Sequence, residues 1–384
     1  FRKNKLSYYY VEKSDMKKVF FFGTGFCAKT FLYKVKIALK NMGNYEILGF
    51  LDNDEKKIGT IFEGYQVYSP NVLSVTPCDL ILVFLIEESK FKPVFQQLSK
   101  FRPTNQIQEY TFPLKLLLQK NYCNSDEEQI RDTLNYISNH QISVFNQFIT
   151  SEYTYDEVKW NYKLDLPYIE FATVEGKKVP MYYPRHYEFV KKDGGLFVVN
   201  LLRDQSEGSP HLYVKQNHNI MDGDCIVDAG VCEGNFALKY VGIASHIYMF
   251  EIDSQWFEPL NYTFQDYKEK VTIIHKAVSD ETSKISCKID DVVAEKKVDF
   301  IKMDIEGAEL SALRGAKRTF STNDIKASIC TYHRNGDEAN IRLQLENYGY
   351  QTTTSNGYML FLYSEDTWEL GDLRRGVVYG QRCE

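Results

Sequence analysis

What this 384-residue chain lacks narrows it first. The longest uncharged apolar run, Leu80 to Ile86, falls far short of the ~20 residues a membrane-spanning helix needs, so no membrane span is expected. There is no CxxC pair and no Cys/His cluster. The eight cysteines are scattered from Cys27 through Cys225, Cys232 and Cys330 to Cys383, a pattern that implies reduced thiols in a cytoplasmic protein without structural zinc. A basic excess is absent too: 46 Lys and Arg stand against 52 Asp and Glu, and a net charge of −6 argues against nucleic acid or an anionic membrane as partner. No low-complexity tract appears. The opening stretch, Phe1 to Lys18, has no apolar h-region and is not expected to be a secretion signal; beginning on Phe rather than Met, it leaves room for an upstream segment.

What is present fits a soluble globular protein. Hydrophobic residues make up 43% and charged ones 26%, and at roughly 150 residues per domain the length implies two or three folded units. Lys17 to Gly25 reads as a short strand and a tight glycine turn, followed by a helix through Phe31, Val35 and Leu39. Tyr45 to Leu51 and Cys78 to Ile86 are two further strands, the second apolar enough for the middle of a parallel sheet. Residues 1–113 are therefore one α/β unit. Residues 114–208 read as a connector with helices and a β-hairpin around Glu175-Gly176. Residues 209–384 form a second α/β unit, with strands near Cys225 to Asp228, His246 to Glu251, Thr272 to His275, Asp299 to Asp304 and Ala327 to Tyr332. An antiparallel hairpin, Tyr350 to Thr354 and Tyr358 to Tyr363 about a type I′ turn at Ser355-Asn356-Gly357, is expected to close its sheet.

The chemistry concentrates in this second unit. In IVDAGVCEGNFAL, Asp228 ends a strand, Gly230 and Gly234 occupy the turn, and a helix follows. Glycine lets backbone approach a ligand, while an aspartate in place of a first glycine repels pyrophosphate and suits an ammonium or sulfonium. S-adenosylmethionine carries both. Glu251, 23 residues after Asp228, falls at the carboxyl end of the next strand, where its two oxygens suit two ribose hydroxyls. An ordinary Rossmann-type turn with solvated acids is the plainer alternative. In FIKMDIEGAELSALRGA, Asp304 ends the fourth strand while Glu306 and Glu309 open the next helix, where carboxylates also favour the helix dipole. His333 follows the fifth strand at the same edge.

Together, the DAGVCEG turn, the FE strand end, the KMDIEGAE string and the LRGA helix resemble the FkbM family of S-adenosylmethionine-dependent methyltransferases, over roughly Ser209 to Tyr363. The resemblance implies a class I methyltransferase fold, with a mostly parallel seven-stranded sheet whose last strand is antiparallel. It implies O-methylation of a sugar or polyketide hydroxyl, and a place in capsule or other surface-polysaccharide assembly. The cofactor-binding set is then Asp228, Gly230, Gly234, Glu251 and Ala277, with Asp304, Glu306 and His333 as catalytic candidates that deprotonate the acceptor. A divalent cation held by Asp304 and His333 is a second route to the same end. One departure is the turn itself, which has Cys232 and Glu233 where the family shows Ala-Asn and a following residue before Gly.

In the first unit, GTGFCA is a GxGxxA turn after a strand, and Asp52 lies 27 residues beyond Gly25. With ILGFLDNDEKKIGTIFEGYQVY, this resembles the Rossmann-like N-terminal domain of bacterial sugar-nucleotide and polysaccharide-modifying enzymes. The resemblance implies nucleotide or nucleotide-sugar contact through Gly23, Gly25 and Asp52. A scaffold that kept its glycines for packing is the alternative. Two other functions remain open: a nucleotide-sugar oxidoreductase or epimerase, and a non-catalytic nucleotide-binding module.

Overall fold

The structure, a computed structural model, describes residues 16–85, 88–149, 158–185 and 196–382. The described residues fall into two compact units that alternate along the chain: Phe1–Asp126 with Leu134–Ser143 and Leu362–Asp372, and Glu127–Thr133 with Val144–Phe361 and Leu373–Glu384. The expected division into three consecutive segments therefore becomes an interleaved one.

The first unit is built on strands β1 (Lys17–Phe22), β2 (Tyr45–Leu51), β3 (Ile61–Phe62), β4 (Tyr65–Tyr68), β5 (Leu80–Val83) and β6 (Ile107–Glu109), in the order β3-β4-β2-β1-β5-β6. All neighbours are parallel except β3 and β4. β5 is a fully buried LILV run, as expected of a strand covered on both faces. The helix Phe26–Met42 buries Cys27, Phe31, Val35, Ala38 and Leu39, a three-to-four-residue spacing that makes one apolar stripe. Trp368, from the C-terminal segment of this unit, is fully buried; it stacks on Tyr110 at 6.3 Å and tilts over Phe31 at 6.2 Å.

The second unit opens with an antiparallel sheet, β7 (Asn161–Lys163), β8 (Leu166–Ala172) and β9 (Lys178–Tyr182), whose β8–β9 turn is the Glu175-Gly176 turn expected from sequence. Its Phe171 and Met181 pack in one core with Phe236, Leu238 and Trp256. The main strands are β10 (Cys225–Ala229), β11 (His246–Phe250), β12 (Val271–Ile274), β13 (Ala277–Val278), β14 (Ser286–Cys287), β15 (Phe300–Met303), β16 (Lys326–Cys330), β17 (Gln351–Thr354) and β18 (Val377–Gln381). Seven of them form one sheet in the order β12-β11-β10-β15-β16-β18-β17, parallel except for β18, which runs antiparallel to both neighbours. This α/β sheet with its antiparallel closing pair has the class I methyltransferase topology expected from the sequence.

The partner in that closing pair differs. β17 pairs with Val377–Gln381 and not with Tyr358 to Tyr363. Of the three turn residues only Gly357 has φ above zero, at +82°, so the two left-handed residues of a type I′ turn are not there. The strand after that turn is replaced by a bridge from Met359 to Phe145 and Arg374, and the chain then leaves for the first unit before returning.

Candidate active site

β10 and β15 lie side by side, and their register pairs Asp228 with Lys302. Both strands are buried along their whole length, so these two charges sit inside the sheet, 3.0 Å apart, with Asp228 completely inaccessible. Burial works against the Lys302 charge, but the Asp228 and Asp304 carboxylates outweigh it and hold its pKa up. The ammonium also donates to the carbonyls of Ala229 and Gly230. Asp228 thus braces the turn from beneath through Lys302, and its side chain is not among the groups lining the cleft above.

The cleft, of about 520 Å³, opens at the carboxyl ends of β10, β11 and β15, where ligands sit in sheets of this kind. Gly230 (φ +80°) lines it, yet the reason for glycine is another strand: a Cβ there would stand 1.8 Å from the Asp304 carbonyl oxygen. Gly234 (φ +85°) is set against Phe264 and Leu260, where a Cβ would come within 2.9 and 3.0 Å. The structure gives both glycines an internal packing reason where the sequence suggested ligand approach. Cys232, left-handed at φ +51°, points its N–H at Glu251 Oε2 (2.8 Å), while Asp253 N–H donates to Oε1 (2.7 Å). A carboxylate offers about four lone-pair positions, so these two amides fix Glu251 and leave capacity for a ligand's hydroxyls. Ala277 and Val278 line the same end.

The other wall is organised by Asp304. Tyr213 donates to its Oδ2 (2.7 Å) and Tyr332 to its Oδ1 (3.0 Å); His211 Nε2 and His333 Nε2 each stand 3.3 Å away. Burial would raise the Asp304 pKa, but His211, His333 and Lys302 overcome it and hold the carboxyl well below the usual range. His333 is enclosed, its side chain 2% exposed, with Glu309 Oε1 3.1 Å from Nδ1; against the cost of burial, Glu309 and Asp304 raise its pKa. Glu309 also accepts the Ile305 N–H (2.9 Å), so it is a structural acid. Glu306 is different: left-handed at φ +56°, it lines the cleft with its side chain 82% exposed.

Sequence reasoning placed Glu251, Ala277, Gly230, Asp304 and Glu306, which the structure brings to one cleft. It missed His211, Tyr213 and Tyr332. No motif spacing marks them; Tyr213 reaches Asp304 across 91 positions of sequence. Two groups, His211 with Asp304 and Cys330, and Asp304 with Glu309 and His333, place potential donor atoms within 4.8 Å of one another. Both are hydrogen-bonded ion-pair networks, and we assign no metal to either.

In the first unit, Gly25 precedes the helix Phe26–Met42 and Gly23 N–H donates to Leu51 O (2.8 Å). Asp52 directly follows β2 but is already engaged. Its Oδ2 takes the Thr24 N–H (3.0 Å) and hydroxyl (2.5 Å) and faces Lys57 Nζ (3.4 Å), while Oδ1 takes the Asp54 N–H (3.0 Å).

Residues 206–352 match the methyltransferase FkbM domain family, and residues 15–98 match a family described as C2185-like, N-terminal. No curated protein matches the chain. The chain is similar to the crystal structure of methyltransferase FkbM from Methylobacillus flagellatus KT, at 17% identity and TM-score 0.49 over 95% of this chain and 90% of that one. It is also similar to magnesium protoporphyrin IX methyltransferase from Synechocystis PCC 6803 with bound S-adenosylmethionine (14%, TM-score 0.29, 42% of this chain and 71% of that one). An rRNA methylase from Streptococcus thermophilus is similar at 12% and TM-score 0.30, over 43% of this chain and 90% of that one. The match to the methyltransferase FkbM domain family thus falls on the stretch that carries Glu251, Ala277 and Asp304.

Proposed function

We propose that the second unit transfers a methyl group from S-adenosylmethionine to a hydroxyl oxygen of a sugar or sugar nucleotide, in capsule or surface-polysaccharide assembly. The observation that carries the reading is the division of one cleft between Glu251, with lone pairs to spare at the lip of β11, and the Asp304 network on the facing wall. A sugar is one of the two acceptors that the resemblance to the FkbM family implies, and the first unit's resemblance to domains of polysaccharide-modifying enzymes favours it. Bound there, the cofactor supplies an activated methyl carbon on a sulfonium.

The residues divide the work. Glu251 holds the ribose hydroxyls, and Ala277 packs at the nucleoside end. Asp304, anionic and with its oxygens filled, is a poor base; it keeps Tyr213, Tyr332 and His211 in place and supplies negative potential beside the reacting centre. Glu306 has an open carboxylate on the cleft and takes the proton of the acceptor hydroxyl as the oxygen–carbon bond forms and the sulfur–carbon bond breaks, its electron pair staying on sulfur. Alignment of oxygen, carbon and sulfur carries most of the rate.

Calorimetric titration with S-adenosylmethionine tests the cofactor half: micromolar binding to the intact chain, lost in Glu251→Ala, is expected. Release of S-adenosylhomocysteine across a panel of sugar nucleotides tests the acceptor half. A folded chain that binds no S-adenosylmethionine would overturn the reading.

A further inference from the structure

The charges of the cleft decide which part of an acceptor can enter it. Its acids are Asp204, Glu233, Glu251, Asp253, Asp304 and Glu306, set against the lysines Lys276 and Lys302. Both lysines are already taken: Lys302 is paired with Asp228 at 3.0 Å, and Lys276 donates to Ser283 O (3.0 Å). Burial, with other carboxylates adding to it, pushes the Asp204 and Glu233 carboxyls up, so this wall already resists negative charge. A diphosphate among these groups would add repulsion at close range with no free cation to offset it. An uncharged sugar ring meets no such cost. The diphosphate of a sugar nucleotide must therefore come to rest outside the cleft.

One cation stands on the rim to receive it. Arg334 follows His333 in the loop after β16, and its backbone is held on both sides. Arg374, buried, donates to the carbonyls of Tyr332 (3.0 Å) and His333 (2.9 Å), and the Arg334 N–H donates to Asp337 Oδ2 (3.1 Å). The Arg334 side chain lies across Gly307 (φ +91°), where a Cβ would come within 2.6 Å of Nε and 3.1 Å of Cζ. Gly307 sits between Glu306 and Ala308, which both line the cleft, so the guanidinium rests at its edge. Arg334 is exposed, and among the described residues no carboxylate stands within ion-pair distance of it. Its neighbours in the fold are spent: Arg374 on those two carbonyls, Arg375 on Glu127 and on the ring of Tyr358.

We propose that the acceptor binds divided, with its sugar ring inside the cleft and its diphosphate outside, on the Arg334 guanidinium. The inference rests on the function proposed above and narrows its acceptor to a sugar nucleotide. A guanidinium presents parallel N–H donors that match two oxygens of a phosphate, and one already laid against Gly307 loses little freedom on binding. Arg334 meets the acceptor away from the reacting atoms, so it acts on affinity and leaves the methyl-transfer step alone.

The test follows S-adenosylhomocysteine release by the full chain across sugar nucleotides and the methyl glycosides of the same sugars, which keep the ring and lack the diphosphate. The unaltered chain is expected to show a KM at least about tenfold lower for the nucleotide form. In Arg334→Ala that KM should rise about tenfold or more, with kcat changed less than twofold and any turnover of the glycoside unaffected. Arg334→Lys, which keeps the charge and loses the fork, should recover part of the loss. Added salt should weaken the sugar nucleotide more in the unaltered chain than in Arg334→Ala. An unchanged KM in Arg334→Ala, an equal rise for both forms, or a loss confined to kcat overturns the contact. Equal KM values for glycoside and nucleotide in the unaltered chain overturn it too, while leaving sugar methylation standing. If the unaltered chain methylates neither form, the sugar acceptor proposed above falls, and the contact with it.

Discussion

The turns after β1 and after β10 occupy the same place in their sheets and look alike in sequence: closely spaced glycines and an acid at the end of the neighbouring strand. The structure separates them. Asp52 receives three hydrogen bonds and a lysine from its own surroundings, whereas Glu251 receives two backbone amides and keeps capacity on a cleft of about 520 Å³. An acid at a strand end is therefore not yet a ligand site; what decides is how many of its lone pairs the protein has already taken.

Substitutions can break this comparison. The largest effect is expected from Gly230→Ala, whose Cβ would meet the Asp304 carbonyl oxygen at 1.8 Å in a left-handed backbone. A loss of about 3 kcal/mol or more is expected in denaturant unfolding. Gly25→Ala, with φ −87° and nothing within 4 Å, should change stability by less than about 0.5 kcal/mol. Equal costs would mean the two turns are not as different as they look.

Next come the groups on the cleft wall. Glu306→Gln is expected to slow turnover on the order of a hundredfold while leaving S-adenosylmethionine affinity within twofold, read by S-adenosylhomocysteine release and calorimetry. Asp304→Asn should abolish turnover with affinity nearly intact; unchanged turnover would remove Asp304 from the mechanism. Activity that disappears with a chelator and returns with a divalent ion would restore the metal alternative. Smaller still is the contrast between the acids themselves. Glu251→Ala should weaken S-adenosylmethionine at least about tenfold, whereas Asp52→Ala should leave it unchanged and cost about 1–2 kcal/mol in stability.

The smallest effect is a pH dependence. His218, between Phe300 and Tyr379 and 3.1 Å from Ser328 Oγ, is pushed down to about 4 by burial and by Lys215. Between the ordinary histidine value of about 6.5 and that of the folded chain, the unfolded state binds the extra proton. Stability should therefore be intact above pH 6.5 and fall as pH drops toward 4. His218→Gln should flatten that slope in urea unfolding at a series of pH values; an unchanged slope would assign the acid sensitivity elsewhere.

The strands were legible because each is an apolar run with a turn at its end: β2 is Tyr45–Leu51 as read, and β10, β11, β12, β15 and β16 fall within about two residues of expectation. Local pattern could not show what comes from register. Asp228 looked like a ligand acid because its partner, Lys302, is 74 residues away and meets it only when β10 and β15 align. The glycines were recognised, but their reasons lay in Asp304, Phe264 and Leu260. Tyr358 to Tyr363 has a strand's composition, yet β18 takes its place in the sheet because Val377–Tyr379 is buried on both faces.

The excursion between β17 and β18 sets the order of events during synthesis. Trp368, which fills the first unit beside Phe31 and Tyr110, and β18, which closes the second unit's sheet, lie within one short stretch, residues 368–381. An N-terminal fragment ending near Tyr122 would lack that tryptophan. Neither half can complete its packing until residues 368–381 have been made, so losing that one segment damages the two units together.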